Sequence, residues 1–141
     1  MYTELFDKFL THHNTLQVYK DNKLVFASDK ERLLPLMEYI DRFSAIYGQV
    51  TLFDKIVGRA AALLCAKANC IEVYSPLGSE LAVKALNQYG IKHHLVEIVP
   101  YINNTNQDDM CPMEKLSLGK DPEEFYKASK NLIDNSQNRQ E

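Results

Sequence analysis

Tryptophan is absent from this 141-residue chain, cysteine is limited to three residues, and glycine and proline to five each. An odd number of cysteines with no Cys-x-x-Cys spacing excludes a disulfide framework and a paired-cysteine metal knuckle. The pattern fits reduced thiols and a cytoplasmic location. No stretch approaches the ~20 apolar residues of a membrane span, and the first residues lack the pattern of a signal peptide. The basic residues are scattered and the formal net charge is -3, so no basic groove for nucleic acid is expected. Internal repeats and low-complexity linkers are also missing. What is present, 45% hydrophobic and 25% charged residues, is the composition of an ordinary globular domain. At this length it buries roughly two-thirds of its extended surface. One domain over residues 1–134 is expected, with a polar, disordered tail over 135–141.

Leu5, Phe6, Phe9 and Leu10 recur at helical spacing, which predicts a short amphipathic helix over residues 2–10. Two alternating runs, 16–20 and 23–27, flank Asp21-Asn22 and read as a β-hairpin. Leu36, Met37, Ile40, Phe43 and Tyr47 form a helical stripe between Pro35, suited to a first turn, and Gly48, suited to a stop. A short strand over 49–53 follows. Residues 71–75 read as a strand ended by Pro76, and Ser79 as the N-cap of a helix closed by Gly90. The strand over 92–99 stops at Pro100. Strands alternating with helices imply parallel pairing through right-handed crossovers. The predicted architecture is an N-terminal hairpin on a βαβαβ core, a mixed sheet of about five strands flanked by helices. An Asn/Asp-rich loop then spans 101–110, of a length that is often functional. Cys111-Pro112-Met113-Glu114 reads as a helix start, with Glu114 at the N3 capping position. Asp121-Pro122-Glu123-Glu124 is a second start, at capping-box spacing.

The stretch from Asp54 to Ala68 organises the rest. As a helix it is small or apolar almost throughout after Arg59, so it must be covered on nearly every side. Asp54 suits its N-cap, but Lys55 and Arg59 put positive charge where the helix dipole is already positive. A chain selected only for stability places acids there. The first turn is therefore a candidate seat for an anionic ligand.

Three blocks resemble the family known as domain of unknown function 1893. They are Asp54-Lys55-Ile56-Val57-Gly58-Arg59-Ala60-Ala61-Ala62-Leu63-Leu64, Val99-Pro100-Tyr101-Ile102-Asn103-Asn104 and Cys111-Pro112-Met113-Glu114. Their order and spacing match over roughly residues 15–133. The resemblance implies a cytidine-deaminase-like fold, a three-layer α/β/α sandwich, in agreement with the element order. The family pattern carries an Arg after the first Asn of the loop, where this chain has Asn104. A zinc deaminase of that fold needs a His or Cys followed by Ala-Glu at one helix start and Pro-Cys-x-x-Cys at the next. Here the first turn is Asp54-Lys55-Ile56, and Leu77 and Glu80 stand where the cysteines belong. Neither half of the metal site is present, so no metal, no cofactor and no zinc deamination is expected.

If the core sheet is parallel, ligands bind outside the carboxyl ends of its strands. That edge would gather Asp54, Lys55, Gly58, Arg59, Pro76, Gly78, Ser79, Asn103 and Cys111 as ligand-binding residues. Catalytic candidates are Cys111 or Lys55 as nucleophile and Asp54 or Glu114 as base. Cys65 and Cys70 read as core and edge residues, and His93 and His94 point to opposite strand faces and cannot easily share an ion. The leading expectation is a small-molecule domain that binds a nucleotide or other small anion, acting as a homodimer. A metal-independent enzyme and a structural or interaction protein are the alternatives. Fold likeness alone does not choose between them.

Overall fold

The computed structural model describes the backbone of residues 2–139 and the side chains of residues 2–134. Asp21 and Asn22 both take positive φ, 49° and 68°. That turn matches the twist of strands, and it joins β1 (Leu16–Lys20) to β2 (Lys23–Ser28) as the expected antiparallel hairpin. On its other side β1 pairs antiparallel with β3 (Val50–Asp54). Next to β3 lies β4 (Cys70–Ser79), and next to that β5 (Lys92–Val99), both pairings parallel. The sheet is mixed and five-stranded, in the order β2-β1-β3-β4-β5.

Alternation along the strands divides the interior in two. Tyr19 and Phe53 face one way and meet Phe6 and Phe9 of α1 (Tyr2–Leu10) in an aromatic cluster. Val18, Leu52 and Val73 face the other way into the larger core. That core is built with α2 (Leu34–Tyr47), α3 (Arg59–Lys67), α4 (Glu80–Gln88), α5 (Pro112–Ser117) and α6 (Pro122–Arg139). Five helices therefore pack on one face of the sheet, and α1 covers part of the other. In the middle, α3 touches α2, α4, α5, α6 and β4, and Ala60, Ala61, Ala62, Leu63, Leu64 and Cys65 are all buried. Its alanines allow this close approach on several sides at once.

Two element boundaries differ from the sequence expectation. The central helix begins at Arg59, not Asp54, and Asp54 is the last residue of β3, not an N-cap. Between them the chain stays extended because strand-type bonds hold it. Val57 N donates to Leu77 O at 2.9 Å, and Ser79 N donates to Val57 O at 3.1 Å. Pro76 does not end β4. The register passes over it, from Ser75↔Leu95 to Leu77↔Glu97, so the ladder on either side tolerates the one missing N–H. The tail expected over 135–141 lies outside the residues whose side chains are described, while the α6 backbone is helical through Arg139.

Candidate functional site

The carboxyl ends of β3 and β4 do draw the three sequence blocks together, through a carboxylate. Glu114, on α5 and 2% exposed, accepts a hydrogen bond from Arg59 N at the start of α3. Its second oxygen accepts from Ile102 N at 2.7 Å. Ile102 is held from its other side too, since Cys111 N donates to its carbonyl at 2.7 Å. Glu114 thus does not cap its own helix, as its position suggests; it caps α3. The reach explains Gly58, the residue before Arg59. A Cβ there would lie 2.9 Å from Glu114 Oε1 and 3.0 Å from an Ile102 side-chain carbon. Gly78, bridged to Val57, is equally hemmed in, by Leu95.

The two cations of the same block are also engaged. Arg59 sends its guanidinium to the other end of α5, donating to Ser117 O and Lys120 O at 3.1 Å each. Lys55 is not on α3 at all. Its ammonium donates to Phe9 O at 2.7 Å and His12 O at 2.9 Å, and it lies 4.4 Å from the Phe9 ring centroid. Each cation therefore satisfies carbonyls at and just beyond a helix C-terminus, Ser117 and Lys120 for Arg59, Phe9 and His12 for Lys55, where the dipole favours positive charge. Burial pushes the Lys55 ammonium below its usual range.

Asp54 is half-buried at the end of β3, and loss of water pushes its carboxyl up to about 7. The Ile56 and Lys55 amides oppose that rise. Ser79 fulfils its expected role: its hydroxyl accepts from Ala82 N at 3.0 Å and caps α4. Pro76 is half-buried within β4. Cys111 stands at the N-cap position of α5, half-buried and making no side-chain cap. Asn103 is exposed and pairs with Met110 across the mouth of the loop. Inside that loop Asn104 donates to Asp108 and accepts from its amide. Cys65 is fully buried, and its hydrogen bond with Cys70, together with burial, drives its thiol well above the usual range.

The convergence is a packed junction. Two shallow hollows, of about 330 and 270 Å³, lie at the opposite end of the sheet, around Ile91–His94 and around Asn69, Cys70 and Tyr89. Among the described residues no group of three or more His, Cys, Asp or Glu side chains is arranged to hold a metal ion. No described helix is long and apolar enough to cross a membrane. What sequence reasoning missed is the partner of each charge. The signal was there: a helix start with no acid of its own needs acceptors for its amides from elsewhere, and Glu114 supplies one.

The fold and junction define a class, an α/β domain with a mixed five-stranded sheet whose central helix is capped from a distance. The chain belongs to the DUF1893 family, a domain of unknown function, whose model matches residues 5–133. A crystal structure of a DUF1893 family protein, TM1506 from Thermotoga maritima, is similar to it, with a TM-score of 0.79 and 28% identity. That likeness covers 92% of this chain and 86% of the other. No curated protein matches the chain.

Proposed function

We propose that this domain is an interaction module and not a receptor for small anions. The observation that carries the reading is the occupancy of the junction. The carboxylate that a helix N-terminus attracts is supplied by Glu114, and the cations meant for a ligand, Lys55 and Arg59, are bound to backbone carbonyls. A nucleotide or phosphate entering there must displace internal bonds that are mostly part-buried, each costly to leave unmade. The same occupancy removes Lys55 and Glu114 as a free nucleophile and a free base. A cytidine-deaminase-like architecture remains part of this reading, supported by the element order and by a sheet with five helices on one face and α1 on the other. The sheet then serves as a scaffold that presents a surface.

A thermal-shift panel tests it, with phosphate, sulfate, citrate and nucleoside mono- and triphosphates set against matched ionic strength. The expected result is no melting-temperature rise beyond the salt control. A saturable rise with any of them overturns the reading.

A further inference from the structure

The two outer strands of the sheet differ in how they face water. At one edge, β2 is six residues long and its ladder with β1 is broken by a register shift at Val18/Tyr19. Such irregularity is one of the devices that keep an edge from pairing. At the other edge, β5 runs for eight residues with one constant register against β4. No described strand lies outside it. It carries Val96 at 71% and Ile98 at 50% exposure, and no proline within its length. A long, regular edge carrying exposed aliphatic side chains is a template for another strand.

We propose that the occupant is a second copy of this chain, with β5 joined antiparallel to β5 about a two-fold axis through Leu95, giving one continuous ten-stranded sheet. This rests on the interaction reading above and names its partner. The choice of a second copy comes from the sequence of the strand, Lys92-His93-His94-Leu95-Val96-Glu97-Ile98-Val99. A two-fold axis perpendicular to a sheet keeps each side chain on its own face, so only residues of the same parity can lie opposite one another. Centred on Leu95, the register sets His93 against Glu97 twice, Lys92 against Ile98 and His94 against Val96. Among the described residues Glu97 has no ion-pair partner within its own chain, and this register supplies an imidazole. Centred on Glu97, two carboxylates would face each other. Centred on Val96, Glu97 would face Leu95 and Lys92 would face Pro100. The Leu95 register alone of the three gives Glu97 a polar partner, the His93 imidazole, and it keeps nearly the whole strand in the ladder. Val96 and Ile98 then gather on the face that α1 leaves open, near Tyr74 and the His94 ring stacked on it at 4.2 Å.

Sedimentation velocity of the full chain over roughly 1–200 µM is the test, a range suited to an interface at the small end of the specific ones. The expected result is a reversible monomer–dimer equilibrium. Val96→Lys with Ile98→Lys, both at exposed positions, should leave a folded monomer by circular dichroism. Glu97→Lys should weaken the dimer about tenfold, summed over two equivalent pairs. His93→Glu combined with Glu97→Lys should recover the wild-type constant to within about threefold. A wild-type monomer at every concentration overturns the proposal. So does a dimer indifferent to the lysine pair, or a charge swap that fails to rescue. None of these touches the interaction reading, which saturable anion binding overturns separately.

Discussion

The junction at the carboxyl ends of β3 and β4 and the outer edge of β5 treat their polar groups in opposite ways. At the junction, heads that a sequence reader would assign to a ligand are spent on the chain's own backbone: Glu114 on two amides, Arg59 on two carbonyls, Lys55 on the end of α1. At β5 the outer edge of an eight-residue strand is open to solvent beside two exposed aliphatic side chains. The difference teaches that motif-like residues and available residues are separate properties. The family-like blocks mark where the fold is closed; the strand that looks bland is where it is open.

The comparison breaks hardest at Glu114. Glu114→Ala strips acceptors from two backbone amides and leaves a hole between α3 and α5. It should cost about 3–5 kcal/mol in urea unfolding. Glu114→Gln keeps one acceptor but turns an amide donor toward the other N–H, and should cost about 2 kcal/mol. If Glu114→Ala were instead neutral and the variant gained affinity for acetate or phosphate, the junction would be a ligand site that Glu114 merely fills.

The cations come next. Arg59→Ala removes the bonds to the last carbonyl of α5 and to Lys120 O in the turn after it, and should cost about 1–2 kcal/mol. Arg59→Lys should recover less than half of it, because a point charge cannot reproduce the fork. Lys55→Ala should cost about 1 kcal/mol through the end of α1. The measurement is the difference between denaturant curves. Costs near zero for both cations would return them to the surface and reopen the anion reading.

Much of the fold was legible because local signals act over a few residues. The turn Asp21-Asn22, the Ser79 cap and the box at Asp121 are all decided within four positions. In the last, Asp121 Oδ1 accepts from Glu124 N at 2.8 Å and Glu124 Oε1 accepts from Asp121 N at 3.1 Å. The start of α3 was not legible, because what delays it is non-local. Val57 is drawn into a strand-type bridge with Gly78, and the cap arrives from Glu114, fifty-five residues beyond Arg59. The same holds for the candidate site. The sequence showed that charge of the wrong sign stood near a helix start; only packing shows that carbonyls at the ends of α1 and α5 absorb it. Pro76 illustrates the converse error. Proline ends a strand when nothing brackets it, and here pairing resumes at Leu77.

Asp54 gives the smallest effect and the sharpest sign. Its carboxyl is pushed up to about 7 in the folded chain, from an ordinary 3.8, chiefly because it is removed from water. Between those values the folded protein holds a proton that the unfolded chain has released. Stability therefore falls as pH rises from about 4 to about 7 and levels off above that. A fully dehydrated carboxyl with this shift would account for roughly 4 kcal/mol, and partial exposure should reduce it to about 1 kcal/mol. Asp54→Asn has no proton to lose. It should match the wild type near pH 4, after allowance for the changed hydrogen bond, and exceed it by about 1 kcal/mol near pH 8. Every other titrating group is common to both proteins, so the pH dependence of the difference isolates Asp54. Urea unfolding of the pair at several pH values reads it directly. A difference that stays flat with pH would mean the carboxyl is solvated as an ordinary surface acid. A difference that grows toward low pH would mean it is ionised and held by a partner, as at a working site.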